Sequence, residues 1–235
     1  MTLPTAKVSA EGSPSAIPSW TWFAALIGRL LAFLMKLLAL SWRADRSQLS
    51  KIDDQIKAGV PVIAVFWHGS YLPLFSLAKG RPITVFTSQS FRGRVIAGIS
   101  RAFGYSASLV PPGRPGFLRM QAFLAAQRKG STSPTVVAIA VDGPLGPRHA
   151  VKPGAFHIAA RMGAVVMPIG VTSYPNWTIT SRWDHFKIPL PFARVHVHVG
   201  SSLCVPETFG ADHDEVMRLR EQVHDELTTS ASNVE

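Results

Sequence analysis

The residue best placed for acid–base chemistry is His68, which directly follows the apolar run PVIAVFW and precedes Gly69. A histidine at the carboxyl end of a buried strand lies where open α/β sheets place their active sites. A histidine side chain, with an ordinary pKa of about 6.5, suits a base that takes a proton from a hydroxyl at neutral pH. The position alone also fits a packed or capped histidine, so His68 is a candidate base.

A second group of candidate residues lies in the segment VDGPLGPRHAVKPGA at 141–155. Asp142 ends a β-branched run, and Gly143 opens a turn rich in glycine and proline. Arg148 and Lys152 then follow, just before a predicted helix. A rigid turn that carries two cations into a helix start is suited to holding a phosphate. An ordinary strand-to-helix connection is the alternative interpretation.

Several blocks occur in a fixed order along the chain: FWHG at 66–69, DGPLGPR at 142–148, KPGAFHIA at 152–159, VVMPIGV at 165–171 and WDHFKIPLPF at 183–192. This order resembles the lysophospholipid acyltransferase superfamily over about residues 45–205. More narrowly, it resembles a poorly characterised branch with Trp-His-Gly and Asp-Gly-Pro-x-Gly-Pro-Arg blocks, which includes secondary acyltransferases of lipid A precursors. The resemblance implies an acyltransferase that moves a fatty acyl group from a thioester donor to a hydroxyl of a lysophospholipid or lipid A precursor.

The chain departs from that family at the partner of the histidine. The family's usual pair is a histidine followed five positions later by an acid, but that position here is Pro73. No acidic residue occurs between Gln55 and Val141. Asp142 is therefore the predicted partner by elimination, and Asp184 is the second candidate. A third possibility is that a backbone carbonyl alone orients His68.

The resemblance also implies the other roles in the site. Arg148 and Lys152, with Gly143 in the turn, are expected to bind the phosphate of the acceptor. Arg114, in the segment VPPGRPG, stands where the family has another cation-bearing element. The donor, acyl-CoA or acyl carrier protein, is a substrate, so neither a cofactor nor a metal is expected. The pair His196 and His198 shares one strand face but has no evident third ligand.

The charge of the chain indicates an anionic partner. There are 24 Lys and Arg residues against 14 Asp and Glu residues, a formal net charge of +10. Phospholipid headgroups, nucleic acid or a phosphorylated substrate would each satisfy this charge. A nucleic-acid-binding module is not favoured, because the chain has no recognition motif for it. A lipid-binding protein that keeps the acyltransferase fold without catalysis is the other alternative.

The amino-terminal part predicts attachment to a membrane. Residues 1–19 are expected to be a flexible tail, and residues 20–43 a membrane-associated amphipathic helix. Arg29, Lys36 and Arg43 recur every seven residues, which favours a helix lying in the interface. A true membrane span and a buried core helix are the alternatives. The expected location is the cytoplasmic face of a membrane, a bacterial inner membrane, with peripheral or monotopic attachment to an anionic lipid surface.

The rest of the chain, 44–230, predicts one α/β domain. Apolar runs rich in β-branched residues alternate with helical patterns, which favours a mixed, largely parallel sheet flanked by helices. The strands are predicted at 60–67, 82–86, 135–141, 164–171 and 193–199. The helices are predicted at 92–103, 115–129, 154–162 and 212–227.

Overall fold

The β-branched runs form the strands of one sheet, and the amphipathic stretches form helices against both of its faces. The computed structural model of the protein describes residues 20–111, 113, 115–116, 118–122, 135–210 and 212–232. The expected tail at 1–19, Arg114 and most of the helix expected at 115–129 lie outside the described residues. Residues 118–122 of that helix are described and are helical.

The strands and helices have the following bounds. The strands are β1 Arg43–Asp45, β2 Val62–Phe66, β3 Ile83–Ser88, β4 Ser106–Val110, β5 Val136–Ala140, β6 Val165–Ile179, β7 Phe186–Val199 and β8 Leu203–Cys204. The labelled helices are α1 Trp20–Leu40, α2 Ser50–Lys57, α3 Leu74–Leu77, α4 Phe91–Ala102, α5 Gly154–Met162 and α6 His213–Ser232. The helix α5 ends as predicted at Gly163, whose φ of +59° is the left-handed conformation that favours glycine.

The sheet has the strand order β1-β7-β6-β2-β5-β3-β4, and β8 pairs with β6. The β6–β7 and β6–β8 pairs are antiparallel, and the other pairs are parallel. This arrangement confirms the predicted fold class, a mixed and largely parallel sheet flanked by helices. The carboxyl ends of β2 and β5 are neighbours, so the residues that follow them share one edge of the sheet.

Strand β2 separates two apolar cores because successive side chains point to opposite faces. Val62 and Ala64 belong to the core beneath α1, α2 and α4. Ile63 and Val65 belong to the core beneath α5 and α6. Both faces are covered, which explains why this strand is a continuous apolar run rather than an alternating one.

Helix α1 is packed against α4 along one narrow stripe of small residues. Ala24, Gly28 and Ala32 are spaced by four and are buried. A Cβ added to Gly28 would lie 2.6 Å from the carbonyl oxygen of Val95 on α4, so only glycine permits this approach. Most of the large apolar side chains of α1 are exposed, which rules out the buried-core alternative: Trp22, Phe23, Leu26, Leu30, Leu31, Phe33, Leu34, Leu37 and Leu40. By length and composition, α1 is long and apolar enough to cross a bilayer.

The predicted stripe of three cations on one helix is wrong in part. Helix α1 ends at Leu40, so Arg43 lies on β1 rather than on the helix. The ammonium group of Lys36 donates a hydrogen bond of 2.7 Å to the carbonyl oxygen of Ala102 at the end of α4. It also lies 5.1 Å from the ring centre of Phe103. Lys36 therefore helps to hold α1 on the domain, and Arg29 is exposed.

Candidate active site

The imidazole of His68 and the carboxylate of Asp184 form a hydrogen-bonded pair at the end of β2. Their Nδ1 and Oδ2 atoms are 2.7 Å apart. The Asp184 side chain is fully buried, whereas the His68 side chain is 24% exposed. Since Nδ1 is bonded to the carboxylate, Nε2 is the nitrogen left for a substrate, and no group in the described part of the chain bonds it.

Arg182 contacts both oxygens of the same carboxylate, including the Oδ2 atom that His68 contacts. Its Nε donates to Oδ1 of Asp184 at 2.9 Å, and its Nη2 donates to Oδ2 at 2.7 Å. Burial raises the pKa of Asp184, but the hydrogen bonds from Arg182 and His68 outweigh it and bring the pKa below its ordinary value. The carboxylate is therefore charged at neutral pH. A charged acceptor at Nδ1 selects the histidine tautomer whose Nε2 can take a proton.

Asp142, the predicted partner of the imidazole, contacts His68 in another way. Its Oδ1 accepts a hydrogen bond of 2.9 Å from the backbone N–H of His68. Its Oδ2 has no hydrogen-bond partner among the described residues, and the side chain is fully buried. Burial is the largest cause of the raised pKa of Asp142. The predicted pairing is thus corrected: Asp142 fixes the main chain of His68, and the second candidate, Asp184, meets its ring.

The close approach of Asp184 depends on Gly69. Asp184 lies in the connection between β6 and β7, which folds over the carboxyl end of β2. A Cβ at Gly69 would collide with the carbonyl oxygen of Asp184. The carbonyl oxygen of Gly69 also accepts a hydrogen bond of 2.8 Å from the backbone N–H of Lys187. The WHG and WDHF segments are therefore two halves of one contact.

Aromatic rings enclose the imidazole on two sides. Tyr71 meets the His68 ring edge to face at a centroid distance of 5.3 Å, and Trp183 lies at 5.3 Å with a tilted geometry. Tyr71 in turn packs against Phe186. Burial raises the pKa of Tyr71 to about 12, so its phenol stays protonated and is not a base at neutral pH. The rings limit the access of water while one part of His68 stays exposed.

The Gly- and Pro-rich turn packs beside Trp183 and therefore next to the dyad of His68 and Asp184. A Cβ at Gly146 would lie 2.7 Å from the Trp183 ring, so this contact requires glycine. Gly143 has a φ of +71°, and a Cβ there would lie 3.0 Å from Nζ of Lys152. Arg148 is exposed, and neither it nor Lys152 pairs with a carboxylate in the described part of the chain.

His149 also lies in this turn, although the sequence did not indicate it as a site residue. Its ring stacks on Trp67 at a centroid distance of 4.7 Å, and its backbone has a φ of +58°. Burial, followed by the charges of Arg148 and His224, lowers the pKa of His149 to about 4. The ring is therefore neutral at pH 7 and acts as a packing group between the turn and β2.

Sequence reasoning missed Arg182, Trp183 and Tyr71 as site residues. The WDHFKIPLPF block could have indicated two of them as site residues, because Trp183 begins this block and Arg182 directly precedes it. Asp142 is the prediction by elimination, since it ends another strand. That strand, β5, is the neighbour of β2, so the prediction lies at the correct edge of the sheet, but the β6–β7 connection supplies the acid for the ring.

The chain has partial similarity to known proteins, and no family model matches it. The chain is 25% identical to "Uncharacterized protein RP090" of Rickettsia prowazekii over 145 residues, which is 61% of this chain and 64% of that relative's length. It is also similar to the solved 1-acyl-sn-glycerophosphate acyltransferase PlsC of Thermotoga maritima, with 15% identity, 89% and 91% of the two chains covered, and a TM-score of 0.33.

Proposed function

We propose that this protein is a membrane-associated acyltransferase in which His68 is the general base and Asp184 orients it. The observation that carries the proposal is the 2.7 Å contact between Nδ1 of His68 and the buried carboxylate, with Nε2 left for a substrate. The pair lies at the carboxyl edge of the parallel strands, where α/β folds bind ligands. The reaction class comes from the resemblance of the ordered blocks to lysophospholipid acyltransferases.

The proposed reaction is a direct transfer. Nε2 of His68 takes the proton of an acceptor hydroxyl while that oxygen attacks the thioester carbonyl carbon. The tetrahedral intermediate collapses and the carbon–sulfur bond breaks. The leaving thiolate then takes the proton from the imidazolium. The products are an ester and a free thiol. The charged carboxylate of Asp184 stabilises the imidazolium that forms between the two proton transfers.

The proposed acceptor carries a phosphate, as a lysophospholipid or a lipid A precursor does. Arg148 and Lys152 lie on the turn beside Trp183 without a carboxylate partner in the described residues, so they are free to bind an anion. Charge-assisted hydrogen bonds of this kind contribute about 1.5–3 kcal/mol each. Arg114 is a further proposed contact, and acyl-CoA or acyl carrier protein is the proposed donor.

The proposed site of action is the cytoplasmic face of an anionic membrane. The exposed apolar side of α1 would enter the acyl boundary of one leaflet, while the α4 side stays on the domain. A hydroxyl acceptor held in that leaflet is then presented to a site on the same protein. This proposal rests on the exposure of α1 and on the net charge of the chain.

The decisive experiment measures acyl transfer by the purified full chain with labelled acyl-CoA and lysophosphatidic acid, and separately with acyl carrier protein and a lipid A precursor. We expect His68→Ala to lower the rate by about 10²–10⁴, the usual contribution of a general base. Asp184→Asn should cause a loss of similar size. Asp142→Asn is the matched control, because its amide oxygen can still accept the backbone N–H of His68, and it should lose far less.

The double variant His68→Ala, Asp184→Asn should be little slower than His68→Ala alone, because residues that act as a unit are not additive. Full rate in His68→Ala would disprove the catalytic proposal. If no donor and acceptor pair supports transfer but the chain still binds acceptor lipid, the non-catalytic lipid-binding alternative takes its place.

A further inference from the structure

Strand β7 contains a large bulge that pushes apolar residues out of the sheet. Tyr174 of β6 is paired with Arg194, but Asn176, only two residues later, is paired with Pro189. Four residues of β7, at 190–193, therefore oppose the single residue between Tyr174 and Asn176. We call the exposed part of this segment, 190–192, the LPF bulge. Phe192 in it is 73% exposed and Leu190 is 39% exposed.

Neither burial of the side chain nor the backbone preference of phenylalanine accounts for the conformation of Phe192. Its φ of +63° is a conformation that bulky residues rarely adopt. A ring that is mostly in water does not contribute packing energy to compensate for that conformation. A strained and exposed aromatic residue is typical of a binding surface rather than of a structural position.

The LPF bulge lies beside the end of helix α1. The backbone N–H of Phe192 donates a hydrogen bond of 3.1 Å to Oγ of Ser41, the residue that follows α1. Leu40, the last residue of α1, is 83% exposed. The bulge therefore continues the exposed apolar side of α1. Trp177, 60% exposed and paired with Ile188, adds an aromatic ring to the same hairpin.

Cations border this apolar surface. Arg43 and Arg194 are register partners on β1 and β7, and both are exposed. Each lies two residues from one end of the Ser41–Phe192 hydrogen bond. Apolar side chains flanked by arginines match the acyl boundary and the headgroups of an anionic bilayer.

We propose that the LPF bulge is a second membrane-inserting element, which docks on an anionic lipid bilayer together with α1. The inference extends the proposed function by adding a contact on the hairpin that also carries Asp184. Two separate contacts fix the orientation of a protein on a membrane more tightly than one helix does. The bulge would thus hold the dyad at a defined angle to the lipid surface.

The test uses the full chain and vesicles of equal parts phosphatidylglycerol and phosphatidylcholine, without an acyl donor. Phe192→Gly is the informative variant, because glycine readily adopts the positive φ of this position and so the fold is kept. We expect its partition into vesicles to fall about tenfold, since one inserted aromatic ring is lost. Met217→Ser is the matched control on α6, where Met217 is 45% exposed, and its partition should stay unchanged.

A second pair of measurements separates the apolar and charged parts of the contact. Arg43→Gln combined with Arg194→Gln should reduce the salt dependence of binding, whereas Phe192→Gly should leave that dependence unchanged. If Phe192→Gly partitions like the wild type, the inference is wrong. It is also wrong if the substitution alters only the oligomeric mass in detergent, because the bulge would then join two copies of the chain. Since no acyl transfer is measured, an inactive His68→Ala variant that binds normally leaves this inference intact.

Discussion

Asp184 is the residue on which the site is organised, because its carboxylate is hydrogen-bonded both to Arg182 and to the imidazole of His68. The carboxylate is buried and charged, a combination that is costly without such partners. Its companion Asp142 is also buried but has one oxygen without a partner in the described residues. Two neighbouring carboxyls therefore differ in pKa direction, one lowered by its partners and one raised by burial.

His149 provides a prediction about pH. Burial lowers its pKa to about 4 in the folded protein, against about 6.5 in an unfolded chain. Between these values the unfolded chain binds a proton that the folded chain does not, so the free energy of unfolding falls as the pH falls through this range. Urea unfolding at about pH 7 and about pH 5 measures the loss.

His149→Asn is the control for that measurement, because asparagine tolerates a positive φ and does not titrate. The free energy of unfolding of this variant should fall less than that of the wild type over the same pH range. Equal losses in both proteins would show that the neutral state of His149 does not account for the acid sensitivity.

At the scale of elements, a glycine permits the close packing of the β6–β7 hairpin and of helix α1. Because Gly69 has no side chain, the connection that carries Asp184 can approach it, and Gly28 in the same way lets α4 pack against α1. In both places the contact is to a backbone carbonyl oxygen, which cannot move aside as a flexible side chain can. The glycines therefore determine how closely these elements approach the domain.

The crossing of α1 and α4 yields a prediction about stability. Gly28→Leu would place side-chain atoms where Val95 and Gly98 of α4 already lie, so α1 must shift. Overpacking of this kind costs about 1–3 kcal/mol. Thermal unfolding in detergent should show the loss. Leu34→Ala on the exposed side of the same helix should change the unfolding free energy by less than about 0.5 kcal/mol, and an equal effect of both substitutions would contradict the close crossing.

For the whole molecule, α1 is both a structural element and the proposed membrane contact. Its buried side joins the core that contains Ala32 and Trp42, so removing residues 1–42 would uncover that core as well as release the anchor. The two roles lie on different sides of the helix. Substitutions on the exposed side can therefore test attachment while the packing on α4 remains.

The combined variant Leu30→Ser, Leu34→Ser, Leu37→Ser makes that test, since these side chains are 57%, 50% and 50% exposed. We expect it to fold and to move from the membrane fraction to the soluble fraction, because three inserted leucines are lost. Cell fractionation with a high-salt wash measures the shift. A variant that still sediments with membranes after that wash would show that the side of α1 formed by these three leucines does not attach the protein.

The sequence by itself determined the local features of this protein. The β-branched runs, the order of the blocks, the helix stop at Gly163 and the place of His68 after a buried strand depend on neighbouring residues, so period and composition predict them. The tertiary structure alone decided which carboxylate meets the imidazole, because Asp184 is 116 positions from His68 and arrives through the fold of a long hairpin. It also decided that Arg43 leaves α1 and that Phe192 stands exposed, since both depend on where strands end and bulge against their partners.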